Sequence, residues 1–295
     1  MTRAEFTDPF QGKEGIFHLS MPHLEKGLLF RSDDDYGYGV NTLAAATLKY
    51  PVSVIAYCLM DNHFHLLLKG LLNDAVSFYD WGIRKLAQRM GRLYGTRRLL
   101  SVHSLDIQPV TDDSSFINNI AYILRNPYKA RICSPYSYPW SSAAVYFSPN
   151  LELTHGQSIH TIRGQQFGYQ THIHVPEHWE HDGHRILDKC FVDYKYVENR
   201  IRSSLPLFDA IRKYSLESVV AQEHGAETLI TYTDHELQEK TAAICRNEYD
   251  VISIHQLDRK SLFRLARTLA FRFGATTKQL SRLLAIPQAT LDQLL

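Results

Sequence analysis

The sequence reads as an α+β protein: an antiparallel sheet with helices on one face, followed by a mostly helical C-terminal region. Two observations predict this. Short aliphatic or β-branched runs alternate with longer helical patterns in the order β-α-β-β-α-β, and one more helix follows, all within the first half of the chain. From residue 185 helical patterning returns, broken at Leu205-Pro206. The first order is the ferredoxin-like, or RRM-like, arrangement. In it one sheet face carries helices and the other is left for function.

Each element has a local reason. Gly15 to His23 is a strand built on Ile16, Phe17, His18 and Leu19. Asp33 to Lys49 is a helix with acidic residues at its start, where the helix dipole favours them, and Pro51 stops it. Val52 to Met60 is a β-branched-rich strand, Asp61-Asn62 a tight turn, and His63 to Lys69 the returning strand of a hairpin. Asn73 or Asp74 caps a helix running to about Tyr94. Leu99 to Val110 supplies the fourth strand. Thr111-Asp112-Asp113-Ser114 leads into a helix ending at Pro127.

A chain of 295 residues, 44% hydrophobic and 21% charged, can bury a sizeable core. No apolar run is long enough to span a bilayer. Met1 to Gly15 holds Glu5, Asp8 and Glu14 and no apolar segment, unlike a secretory signal. Cys58, Cys133, Cys190 and Cys245 form no Cys-x-x-Cys pair, which argues against a disulfide framework or structural zinc and fits a reducing cytosol. The expected location is therefore cytoplasmic.

His63-Phe64-His65 is the most informative stretch. Alternation along a strand sends both imidazoles to one side and Phe64 to the other, so the pair can make half of a divalent-metal site. Two polar residues on an open strand face would look the same. In the helix before Pro127, Phe116, Ile120, Ile123 and Leu124 form the apolar stripe. Tyr122 and Asn126 lie outside it, four residues apart and hence neighbours on one flank.

Together these stretches resemble a known family. Tyr57 to Leu68 is similar to the His-hydrophobe-His motif of single-tyrosine HUH transposases, and Tyr122 to Ala130 resembles their tyrosine motif. Tyr138-Pro139-Trp140-Ser141-Ser142 is similar to an element of the REP-associated branch. The resemblance covers about the first 150 residues. It implies a catalytic domain over 1–150, with Tyr122 as nucleophile and His63, His65 and Asn126 as ligands of Mg²⁺ or Mn²⁺. The implied activity is cleavage and strand transfer of single-stranded DNA through a 5′-phosphotyrosine, in a transposase or a domesticated transposase. The implied partners are hairpin-bearing DNA and a second copy of the chain, with a nucleoid association in a prokaryote. Asp61 stands where the family usually has Pro, Phe64 where a small aliphatic is frequent, and Arg131 where Gly is usual. A non-catalytic nucleic-acid-binding regulator on the same fold is the competing class.

Two basic stretches sit on a chain of net charge +1. Arg84, Lys85, Arg89 and Arg92 cluster on one side of a helix, with Arg97 and Arg98 beyond it, as phosphate contacts require. Solvated helix faces have the same look. Residues 251–295 read as a helix-turn-helix-like module: a helix from Lys260 to Arg272, a Thr277-capped helix to Leu284, a turn at Ala285-Ile286-Pro287 and a last helix. There Gln288, Thr290 and Gln293 would face bases and Arg282 phosphate. Residues 151–184 hold seven of the 15 histidines and read as a linker or insertion, although His172-Ile173-His174 repeats the His-x-His spacing. Residues 185–250 form a helical region of unassigned role.

Overall fold

The computed structural model describes residues 7–22, 24, 27–95, 100, 105–130, 132–159, 174–212, 234–273 and 275–294. Strands β1 (Gly15–Met21), β2 (Ser53–Met60), β3 (His63–Gly70) and β4 (Asp106–Val110) form one sheet in the order β2-β3-β1-β4, with every neighbour antiparallel. Helix α1 (Asp33–Thr47) connects β1 to β2, and α2 (Leu72–Tyr94) connects β3 to β4. This is the ferredoxin-like topology, with a helical C-terminal region following it.

Several boundaries shift for physical reasons. Helix α2 begins at Leu72, before Asn73 and Asp74, and its flanking Leu71 makes no side-chain cap bond. The described part of the fourth strand starts at Asp106, and Leu99 lies outside the described residues. Helix α3 (Asp113–Leu124) ends three residues before Pro127. Proline has no N–H and its ring collides with the carbonyl four residues back, so it cannot sit inside that helix. It opens a new turn instead, α4 (Asn126–Lys129).

Helix α2 packs on the face shown by Phe64, whose ring lies 5.6 Å from that of Tyr79. Helix α3 crosses the opposite face, where the ring of its Tyr122 lies 5.4 Å from that of His65. The second face is thus covered by one helix rather than left fully open. Leu66, Leu67 and Leu68 of β3 are consequently all buried, each contributing about 2 kcal/mol of burial free energy.

The edge of β2 is sealed by the chain after α4. Trp140 O accepts from Leu59 N–H (2.9 Å), Ser142 Oγ from Tyr57 N–H (3.0 Å), and the Tyr138 and Tyr146 hydroxyls donate to Leu59 O (2.7 Å) and Ile55 O (2.6 Å). Further on, Asp193 N–H donates to Val54 O (2.8 Å). The Tyr57 hydroxyl meets the buried Asp188 carboxylate, which also receives Arg185 at 2.9 Å. These bonds satisfy an edge that would otherwise offer itself to another strand. The Tyr-Pro-Trp-Ser-Ser element thus has a structural use in this chain.

Buried apolar residues fall into two clusters, one running from Ile16 to Ile211 and the other from Leu237 to Leu291. The first includes Trp179, Ile186, Phe191 and Val197 of helix α5 (Tyr194–Ile201), and Leu207 and Ile211 of helix α6 (205–212). The break expected at Leu205-Pro206 falls just ahead of it, at 202–204, and Leu205-Pro206 opens α6, because proline is tolerated in a first turn. The second cluster joins α7 (Asp234–Tyr249), α8 (Arg259–Phe273), α9 (Thr277–Leu284) and α10 (Gln288–Leu294). The cap of α9 is Thr276, in a capping box with Gln279, and Thr277 is the first helical residue. Ala285 takes the left-handed conformation (φ 54°) that turns the chain from α9 to α10.

The edge seal makes a prediction. Tyr138→Phe strips a buried hydroxyl from the Leu59 carbonyl and should cost about 1–2 kcal/mol in urea unfolding. Tyr136→Phe, at an exposed ring, should change stability by less than about 0.5 kcal/mol.

Candidate active site

The site forms between the central strands and α3. On β3, His63 and His65 point to the α3 side. Their rings are 5.1 Å apart and nearly perpendicular, at 88°, so they share a face without lying parallel. Antiparallel register sets Met60 opposite His63, and Cys58 and Ser20 opposite His65. His18, two residues along β1 from Ser20, shares their face.

Helix α3 carries the complementary groups. Asp112 accepts from Ser115 N–H, and Ser115 Oγ accepts from Asp112 N–H, closing a capping box that fixes where the helix starts. Phe116, Ile120, Ile123 and Leu124 are fully buried. That seats the helix so that Asn119 and Tyr122, three residues apart, face the histidines. Tyr122 is 37% exposed, with its ring 5.4 Å from that of His65 and 5.7 Å from that of His18. The Arg125 guanidinium lies 5.3 Å from the Tyr122 ring centroid.

A run of hydrogen bonds ties these groups together. Asn119 Nδ2 donates to Ser115 O (2.8 Å), Asn119 Oδ1 meets His18 Nδ1 (2.9 Å), and His18 Nε2 meets His65 Nδ1 (3.0 Å). His63 Nδ1 meets Asn62 Oδ1 (2.9 Å). Burial holds the His18 pKa down to about 4, outweighing the opposing hydrogen bond to Asn119 Oδ1.

Asn126 is buried, and its Nδ2 donates to the carbonyls of Tyr122 (3.0 Å) and Ile123 (3.1 Å) in the last turn of α3. Its amide nitrogen is thereby committed, and Oδ1 is the atom of the right chemistry for a hard cation. His63 must donate Nδ1–H to the Asn62 carbonyl oxygen, which leaves the lone pair on Nε2, the form a metal requires. Two imidazoles and an amide therefore suit a divalent cation. Among the described residues no group of three or more His, Cys, Asp or Glu side chains is arranged to hold a metal.

The proposed DNA contacts are scattered. Helix α2 lies across the sheet from Tyr122, so its basic side is remote from the histidines. Arg89 is bound to the buried Asp35 carboxylate (3.0 Å) and stacks over Tyr38, so its charge is already neutralised inside the fold. Arg84 and Arg92 are exposed, and Lys85 lies near the Trp81 ring with its pKa lowered by burial, Lys49 and Arg92. Arg97 and Arg98 lie outside the described residues. Arg282 is paired with the buried Asp234, which takes it away from phosphate. Gln288 and Gln293 are exposed and Thr290 half-buried. In the histidine-rich stretch, His181 is buried with Nδ1 accepting from Gly183 N–H (3.0 Å). His155, His174, His178 and His184 are exposed, and His172 lies outside the described residues.

His18 and Asn119 are the site residues the motifs do not reveal. Asn119 had a signal, its three-residue spacing from Tyr122. His18 becomes a neighbour of His65 only through the β1–β3 pairing.

No protein-family model matches the chain, and no curated protein is similar to it in sequence. Among solved structures it is similar to a REP-associated tyrosine transposase bound to a REP hairpin. That likeness has a TM-score of 0.37 and 14% identity, over 48% of this chain and 82% of the other. It is too loose to assign function.

Two outcomes follow from these contacts. The unfolded chain protonates a histidine near 6.5 while folded His18 waits until about 4. The contribution of His18 to stability is thus fully present above pH 6.5 and is lost, to the extent of roughly 3 kcal/mol, as pH drops to 4. Denaturation across that window in chelator should show the loss, and His18→Gln should flatten it. Separately, Arg89→Ala should destabilise by about 2 kcal/mol by leaving the buried Asp35 carboxylate without its ion-pair partner, with the Tyr94 hydroxyl and the Arg31 N–H still donating to it, whereas Arg84→Ala should cost less than about 0.5 kcal/mol.

Proposed function

We propose that this protein is a metal-dependent enzyme that cleaves and rejoins single-stranded DNA through Tyr122, as a transposase or a domesticated derivative. One observation carries the reading. The accessible phenol of Tyr122 lies against the ring of His65, one of two imidazoles sharing a sheet face, while the apolar stripe of the same helix is buried. A core tyrosine would belong to that stripe. The motif resemblance at residues 57–68 and 122–142 supports the same roles.

The chemistry matches the groups present. Attack by Tyr122 Oη on a phosphodiester forms a Tyr–O–P bond and breaks the P–O3′ bond. The phenol loses a proton and the departing 3′-oxygen gains one. The products are a 5′-phosphotyrosine and a free 3′-hydroxyl, and rejoining runs in reverse with another 3′-hydroxyl, so no ATP is consumed. Mg²⁺ or Mn²⁺ held by His63, His65 and Asn126 Oδ1 would supply charge neutralisation at the scissile phosphate. Arg125, beside the Tyr122 ring, brings a permanent cation to the same place. The rigid α3–sheet contact holds the phenol in position for in-line attack.

The substrate proposed is hairpin-bearing single-stranded DNA, bound by a homodimer. Arg84, Lys85 and Arg92, across the sheet from Tyr122, fit contacts to DNA away from the scissile phosphate, and Gln288, Thr290 and Gln293 fit contacts by the last helix.

The test is covalent capture. Purified protein is incubated with a panel of hairpin-bearing single strands in Mn²⁺ and resolved under denaturing conditions. The wild type should form an adduct that peptide mapping places on Tyr122. Tyr122→Phe should abolish the adduct and change DNA affinity by no more than about twofold, since one hydroxyl contributes little to a phosphate-dominated interface. Tight DNA binding without any wild-type adduct would mark a binding protein rather than an enzyme.

A further inference from the structure

The polar chain beneath Tyr122 has a direction, and that direction reaches His65. Ser115 O can only accept, so the Asn119 side-chain nitrogen faces it and donates. Asn119 Oδ1 must therefore face His18, and an amide oxygen also only accepts. The proton of the neutral His18 ring is accordingly on Nδ1, and its lone pair is on Nε2. That lone pair points at His65 Nδ1 from 3.0 Å, so His65 Nδ1 carries a proton and donates it. The remaining nitrogen of His65, Nε2, holds the lone pair.

We infer that His18 is a positioning residue that holds His65 in the Nδ1–H tautomer, with Nε2 presented to a divalent cation, through the relay Ser115–Asn119–His18–His65. Asn62 does the same for His63 by a single step. The two imidazoles thus present the same nitrogen, each oriented by a separate acceptor. A histidine that binds a metal through one nitrogen and donates from the other is held at a fixed ring angle and is a better ligand.

The relay also gives two polar groups of the fold a use, one buried and one half-buried. His18 is 5% exposed and faces the site from a central strand, where an aliphatic residue would bury more favourably. Asn119 sits inside α3, where asparagine is a poor helix former. Both are explained if the chain beginning at Ser115, the residue that also closes the α3 capping box, sets the tautomer of His65. The start of α3 and the orientation of His65 are then one construction. The tautomer itself does not depend on catalysis; its link to a metal rests on the function proposed above.

The test uses the full chain with ¹⁵N-labelled histidine. Long-range ¹H–¹⁵N correlation in chelator at neutral pH reports which ring nitrogen carries each proton, with His18→Gln, His63→Gln and His65→Gln giving assignments. Calorimetry then measures Mn²⁺ binding without DNA. Wild-type His65 should be the Nδ1–H tautomer. His18→Leu, which removes the acceptor, should release His65 toward Nε2–H and weaken Mn²⁺ binding by about 10- to 100-fold. His18→Gln, whose Oε1 can accept, should restore most of both. Should His18→Leu misfold, Asn119→Leu makes the same demand one step back: the Nδ1–H bias of His18 should be lost.

Wild-type His65 protonated at Nε2 would overturn the relay, as would Mn²⁺ affinity and tautomer unchanged in His18→Leu. A wild type with the expected tautomer and His18-dependent Mn²⁺ affinity, but no DNA adduct, would uphold the relay and sink the strand-transfer reading.

Discussion

The structure depends on burying β3 on both faces. This strand lies between β2 and β1, so every second residue must find a partner on each side. Phe64 and Leu66 are covered from the α1–α2 side. The opposite face is closed by α3, whose Phe116, Ile120, Ile123 and Leu124 leave the core no alternative seat. Because that stripe is apolar and the next positions are Asn119 and Tyr122, the packing that buries the sheet also lays a polar flank on His18 and His65. Core and site are therefore made by one contact.

That arrangement carries a cost that is met locally. A sheet face with three imidazoles is expensive to bury, so each is given defined partners: His18 between Asn119 and His65, and His63 on Asn62. Burial keeps His18 neutral. In the function proposed above, neutral donors beside a phenol would leave a bound cation its full charge toward a phosphate. The sealed β2 edge serves the same end, since a strand tied down by Tyr138, Ser142 and Tyr146 holds the register that sets Cys58 against His65.

The strands and helices were largely legible because alternation and the apolar stripe are local. His63 and His65 share a face for that reason, and Tyr122 stands off the stripe for that reason. Other features depend on pairings distant in sequence. His18 meets His65 only through strand register, 47 residues away. Arg89 finds Asp35 across 54 residues, and Arg282 finds Asp234 across 48, so a basic cluster in the sequence overstated the charge available to DNA. Helical periodicity shows that α2 has a polar side but not which face of the sheet the helix will cover. Pro127 signalled a boundary correctly in kind: α3 ends at Leu124, and the chain continues into the separate turn α4.

The central claim is that the sheet–α3 contact builds a cation site from His63 and His65 next to Tyr122. Anomalous diffraction from crystals soaked in Mn²⁺ tests it most directly. The account predicts one strong peak at about 2.1–2.3 Å from Nε2 of both histidines, with Asn126 Oδ1 completing the protein ligands. A peak held instead by the histidines of residues 155–184, or no peak at His63 and His65 at saturating Mn²⁺, would contradict it.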